Sequence, residues 1–135
     1  MIIAVDFDGT CVYHEFPVVG GDVPNAVDVL KELANRHKLI LYTMRSGDKL
    51  EDAIAWFRER EIPLWAANGN PQQASWTRSP KVYAHKYIDD AAVGVPLIYD
   101  PTVCARPFVD WIKVQEILQD EHERRFGLNG KAREG

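Results

Sequence analysis

Met1-Ile2-Ile3-Ala4-Val5-Asp6-Phe7-Asp8-Gly9-Thr10 is the stretch on which the fold is decided. The β-prone run from Ile2 to Phe7 reads as a strand buried on both faces. Two acids spaced i, i+2 then stand at the mouth of that strand. Carboxylates at the edge of an apolar core are costly unless something neutralises them. A hard divalent cation does so directly, because it takes carboxylate oxygens. Gly9 permits the sharp backbone turn that must follow. No basic leader or cleavage-site pattern precedes Asp6, so the run is expected to be a strand and not a signal peptide.

Working outward, apolar runs alternate with helical patterns. Residues 24–36 read as a helix, with Pro24 in the first turn and Ala26, Val27, Leu30 and Leu33 on one face. Lys38 to Thr43 reads as a second strand. Residues 48–61 read as a second helix with a Leu50, Ile54, Phe57 stripe, stopped by Pro63. Leu64 to Ala67 is a short third strand, and Asn68-Gly69-Asn70-Pro71 breaks it. Residues 69–80 are expected to be a loop. Tyr87-Ile88-Asp89 ends a further strand, Val95 to Tyr99 makes another, and Phe108 to about Arg125 makes a last helix with Trp111, Val114 and Leu118 inward.

This alternation predicts an α/β fold: a doubly wound, Rossmann-like, mostly parallel sheet of about five strands flanked by helices. One domain is expected over residues 1–126, with residues 127–135 as a flexible, polar, Gly-rich tail. In such sheets ligands bind outside the carboxyl ends of the strands. The residues there are Asp6, Asp8, Thr43, Asp89 and Asp90.

Bulk properties narrow the function. The formal charge of −4 argues against strong nucleic-acid binding, which depends on Lys and Arg neutralising phosphates. It leaves a nucleotide or an oligonucleotide end open as a substrate. Cys11 and Cys104 lack metal-ligand spacing and are expected to be reduced thiols of a cytoplasmic protein. No apolar run approaches the roughly 20 residues of a membrane span, so no membrane partner is expected. GxGxxG and GxxxxGK[ST] are both absent, which removes the dinucleotide and P-loop classes.

The strand ends carry the chemistry. Thr43, Met44 and Arg45, with the backbone amides before the second helix, can hold the oxygens of a phosphate. Asp89 and Asp90 supply further acid for a cation, and Lys81 offers an ammonium to offset repulsion between a carboxylate and a phosphate. Arg45 contacts either phosphate or a surface acid. Such a set suits phosphoryl transfer, where positioning and charge stabilisation dominate.

In this order, Asp6-Phe7-Asp8-Gly9-Thr10, Thr43, Lys81 and Asp89-Asp90 resemble the four motifs of the haloacid dehalogenase (HAD) superfamily. The resemblance spans residues 2–90. It implies a phosphatase in which Asp6 attacks phosphorus and forms an aspartyl-phosphate. Asp8 would then be the general acid and base. It implies a Mg²⁺ cofactor held by the Asp6 side chain, the Asp8 backbone carbonyl and Asp89, with Asp90 close by. Thr43 and Lys81 would bind the phosphoryl group, with Lys86 as the competitor to Lys81. The acid at Asp8 separates this pattern from the family's dehalogenases, which lack it.

Larger members of that superfamily insert a cap domain. The short spacings here leave room only for a β-hairpin flap over Cys11 to Gly21, so a small capless member is implied. Its open site would be covered by a large substrate or by a second copy of the chain in a homo-oligomer. A phosphorylated small molecule and the phosphorylated end of a macromolecule both fit as substrate. His14, Glu15 and Phe16 on the flap either touch substrate or are simply exposed. Trp65 and Trp76 read mainly as packing residues, Asn70 as a minor site candidate, and the charged run Gln119 to Arg125 as a solvated helix face. The alternative functions are a phosphoacceptor signalling domain and a non-catalytic binding protein on the same scaffold.

Overall fold

Ile3, Ala4 and Val5 are consecutive and all buried in the computed structural model, which describes residues 1–126. Side chains alternate faces along a strand, so burial of neighbours means that both faces are covered. The strand β1 (Ile2–Val5) is therefore internal. The same holds for β2 (Lys38–Leu41), where Leu39, Ile40 and Leu41 are buried. With β3 (Ala66–Ala67) and β4 (Lys86–Ile88) they form a parallel sheet in the order β3-β2-β1-β4. Val5 is in register with Leu41 on one side and Ile88 on the other. The chain switches sides of β1 between β3 and β4, so the crevice beyond the carboxyl ends of β1 and β4 is the switch point where such folds bind ligands.

Helices flank this sheet. The helix α1 (Ala26–Arg36) buries Ala26, Val29, Leu30 and Leu33, a stripe at helical spacing. Val27, expected inside, is partly buried against the same core. The helix α2 (Gly47–Glu59) buries Ala53, Trp56 and Phe57, with Leu50 and Ile54 partly buried. Phe7 anchors them: its ring meets Trp56 edge-on at 5.7 Å and Phe57 at 6.3 Å. Cys11 and Cys104 are both buried free thiols. Among the described residues, no helix is long and apolar enough to cross a membrane.

The structure departs from the sequence expectations in several places. The parallel sheet has four strands. The run Val95 to Tyr99 instead supplies β5 (Leu97–Ile98), paired antiparallel with β6 (Phe108–Val109) in a separate two-stranded sheet. Phe108 and Val109 thus leave the last helix, and α3 spans Trp111–Phe126. Asp110 caps it, its carboxylate accepting the Lys113 amide at 3.2 Å. The loop over residues 69–80 contains a short 3₁₀ turn, Gln73–Ser75. The flap is not a regular hairpin. It is a loop pinched at its base by bonds from Tyr13 N to Gly21 O (2.8 Å) and from Val23 N to Cys11 O (3.0 Å). The tail assigned to residues 127–135 lies outside the described residues.

The C-terminal segment braces the turn after β1. Val109 N donates to Gly9 O at 3.1 Å. The buried Trp111 donates from its indole Nε1 to Thr10 O at 2.7 Å. Removing a partner from a buried carbonyl costs about 1–3 kcal/mol. Trp111→Phe is therefore expected to lower the unfolding free energy by at least that amount in urea titration, at unchanged m value. A loss under about 0.5 kcal/mol would show that the bond does not brace the turn.

Candidate active site

The backbone turns immediately beyond β1. Cys11 N and Thr10 N both donate to Phe7 O, at 2.8 and 3.1 Å. Gly9 takes φ of +83°, and a side chain there would land on the Asp90 carboxylate. Only glycine combines that φ with that close approach. The turn carries Asp6 and Asp8 past the sheet, next to Asp89 and Asp90 at the end of β4. Asp6 N donates to Ile88 O at 2.9 Å, which ties the two strand ends together.

Asp6, Asp89 and Asp90 each direct a carboxylate oxygen to one place, all within 4.8 Å of one another. Thr10 links them. Its buried hydroxyl donates to Asp6 Oδ2 at 3.1 Å and accepts the Asp90 amide at 3.2 Å. The consequence is electrostatic. Burial, a side-chain hydrogen bond with Asp90 and the charge of Asp89 push the Asp6 pKa up to about 8. Asp90 is also raised, chiefly by burial. Three crowded oxygen donors that cannot all ionise without a countercharge form a possible acidic metal-binding cluster, chemically suited to a hard cation.

The Asp8 carboxylate stands apart from this trio. Arg45 holds it in a bidentate pair, Nε to Oδ2 at 2.8 Å and Nη2 to Oδ1 at 2.7 Å. Arg45 is 2% exposed, and its guanidinium lies between the rings of Phe7 and Phe16, 5.1 Å from each centroid. Its remaining N–H groups reach the carbonyls of Pro17, Val18 and Lys49. All five donors of an arginine are thereby used. This corrects both expectations for Arg45: its side chain has no donor left for phosphate, and its acid partner is not on the surface. It fastens the flap to Asp8.

Thr43 follows β2 and lines the same cavity as Asp6, Asp8, Asp89 and Asp90, which has a volume of about 380 Å³. Its hydroxyl accepts the Arg45 amide at 3.1 Å, leaving its proton to be donated to a ligand. Asn68, with φ of +51°, accepts the Thr43 amide at 2.8 Å and donates to Arg45 O at 3.4 Å. The loop after β3 thus locks the loop after β2. Met44 is almost wholly exposed at the cavity edge, and His14 and Phe16 reach it from the flap.

The two lysines separate. Lys86 is in register with Ile3, near the amino end of β1, and its ammonium pairs with Glu121 at 2.9 Å. It is at the wrong end of the sheet. Lys81 is exposed, its ammonium 5.6 Å from the centroid of the Tyr87 ring, and it does not line the cavity. Asn70 also turns away, donating to Tyr83 O. Trp76 packs edge-on against Tyr83 at 5.4 Å, and Trp65 lies under the Lys38 ammonium at 4.7 Å. A larger concavity, about 480 Å³, opens among Met1, His37 and Lys86 at the opposite end of the sheet. It gathers no carboxylate cluster, so the smaller cavity is the candidate site.

Sequence reasoning missed the commitment of Arg45 to Asp8, the Asn68 lock and Arg106, which lines the cavity from the segment before β6. Asn68 carried a signal, since an Asn-Gly pair after a strand favours positive φ. The other two had none, because their partners are remote in sequence.

No protein-family model and no curated protein matches the chain. Among solved structures, a conserved protein coded by a locus from Bacteroides thetaiotaomicron matches with a TM-score of 0.74 and 38% sequence identity. The match covers 90% of this chain and 91% of that one. This chain belongs to the same family as that conserved protein.

Two outcomes follow from the geometry. Without a cation, the folded protein keeps a proton on Asp6 that the unfolded chain releases near pH 4, about the ordinary aspartate pKa. Folded-state stability therefore falls as pH rises from there toward the folded value of about 8. Thermal melts in chelator should show this fall, and Asp6→Asn should flatten it. The stabilisation by millimolar Mg²⁺ should grow over the same window; a Mg²⁺ effect independent of pH would contradict the cluster's charge balance. Second, Arg45→Met leaves Asp8 without its partner and should cost about 3–5 kcal/mol in denaturant unfolding. A loss below about 1 kcal/mol would mean that the pair is dispensable.

Proposed function

We propose that this protein is a Mg²⁺-dependent phosphate monoester hydrolase of the HAD type, working through a phosphorylated Asp6. The observation that carries this reading is the convergence of Asp6, Asp89 and Asp90 at the switch point, with Asp8 and Thr43 on the same cavity. A nucleophile, a cation site, a proton carrier and a hydrogen-bond donor to the phosphoryl oxygens are the parts that phosphoryl transfer needs.

The carboxylates of Asp6, Asp89 and Asp90 would hold the ion, with the Asp8 backbone carbonyl as a further oxygen. When bound, Mg²⁺ supplies charge that ionises Asp6 and offsets that of the phosphoryl oxygens. The remaining work falls to side chains. A carboxylate oxygen of Asp6 attacks phosphorus in line with the ester oxygen, and the P–O ester bond breaks. Asp8 gives its proton to the leaving oxygen. Arg45 occupies one lone pair on each Asp8 oxygen, so the others remain to carry that proton. Asp8 then takes a proton from water as it attacks the phosphorylated Asp6, releasing phosphate and restoring the carboxylate. The Thr43 hydroxyl donates to a phosphoryl oxygen throughout. The role expected of Lys81 rests on the motif resemblance alone.

The test is turnover of p-nitrophenyl phosphate with Mg²⁺ and with chelator, in wild type, Asp6→Asn and Asp8→Asn, each checked for folding by circular dichroism. The expected result is Mg²⁺-dependent hydrolysis, abolished by Asp6→Asn and slowed about 10²–10⁴-fold by Asp8→Asn. Hydrolysis that persists in Asp6→Asn would overturn the reading.

A further inference from the structure

We infer that the substrate is a small phosphate monoester whose leaving group carries a second anionic group, bound by Arg106 with His14 beside it. The inference rests on the hydrolase reading above and goes on to name the substrate class.

The cavity wall is rich in charge. Four of its lining residues are aspartates, and two are arginines. Arg45 is consumed by Asp8 and by backbone carbonyls. Arg106 has no carboxylate partner among the ion pairs of the described residues; its side-chain contact is with His14 Nε2, at 3.2 Å. This contact engages one of the five guanidinium donors and supplies no carboxylate to the arginine. Arg106 is also exposed. It is thus a planar two-pronged donor, free to take a carboxylate or phosphate bidentately.

Its position argues for a second anion rather than for the transferring phosphoryl group. On the shared cavity Arg106 is exposed, whereas Asp6, Asp8, Asp89 and Asp90 are all partly buried. Arg106 therefore stands at the rim, with the acids on the floor. The rim is otherwise apolar: Phe16 is 52% exposed and Met44 is 98% exposed. These can cover the flat or apolar body joining the two anions. The cavity's volume of about 380 Å³ falls in the range of small-molecule sites, roughly 300–1,000 Å³. A phosphorylated small molecule is thus favoured over the end of a macromolecule.

The experiment compares two pairs of esters: phenyl phosphate with its carboxylate-bearing analogue, and a nucleoside monophosphate with the corresponding bisphosphate. The ratio of kcat/KM within each pair is measured in wild type, Arg106→Gln and Arg106→Lys. Wild type should prefer the member with the second anion by roughly tenfold, through KM. Arg106→Gln should bring the ratio near one, and Arg106→Lys should restore part of it. Which pair shows the larger ratio distinguishes a carboxylate from a second phosphate. A wild-type ratio near one in both pairs, or a ratio that Arg106→Gln leaves unchanged, overturns the inference. Calorimetric binding of the same esters to Asp6→Asn with Mg²⁺ reads the preference without turnover. A preference seen there, with no hydrolysis by wild type, would overturn the hydrolase reading and leave only the Arg106 anion site standing. Equal affinities there would overturn the inference alone.

Discussion

The constraint on which the rest of this molecule depends is the mutual repulsion of three carboxylates held at the mouth of a buried sheet. Asp6, Asp89 and Asp90 sit on two neighbouring strand ends, and the Asp6 N to Ile88 O bond prevents them from drifting apart. Burial, together with crowding by Asp90 and Asp89, raises the Asp6 pKa to about 8. A fold keeps such an arrangement when the cost is recovered by a ligand. Much of the surrounding structure serves to hold it. Gly9 makes room for Asp90, Thr10 bridges Asp6 to Asp90, and Trp111 pins Thr10 from the far end of the chain.

A second buried pair divides the labour. Because Arg45 engages Asp8, the fourth acid is withdrawn from the repulsive cluster and kept at a fixed position beside it. The same guanidinium grips two flap carbonyls, so the flap, Asp8 and the turn after β2 are tied to one side chain. The access that remains is through the rim of Phe16, Met44, His14 and Arg106, where selectivity for the rest of a substrate is to be sought.

The legible part of this design was the part written in local pattern. An apolar strand ending in Asp6-Phe7-Asp8-Gly9 fixes its own burial, its turn and its need for a countercharge, and the strand ending at Asp89-Asp90 repeats the message. The α/β class, the strands β1 to β4 and the two crossover helices followed from periodicity, which also counted a fifth parallel strand. What was not legible depended on pairings between distant residues. Arg45 meets Asp8 across 37 positions, and Trp111 meets Thr10 across 101. The run at Val95 to Tyr99 looked like one more parallel strand, since β-propensity does not say which partner a strand will choose. Phe108 and Val109 were read into the last helix, although Asp110 marked the true cap.

The chain's kinship with the conserved Bacteroides thetaiotaomicron protein fixes the fold over nearly the whole length and leaves the chemistry to be argued from side chains. The proposed chemistry turns on Asp6 as a nucleophile. The most direct measurement is acid-quenched mass spectrometry of the N-terminal peptide during turnover of a phosphate ester with Mg²⁺. The account predicts a mass gain of one phosphoryl group on Asp6, present during turnover and gone once substrate is exhausted. Sustained turnover with Asp6 unmodified at every time, or a phosphoryl group on another residue, would contradict it.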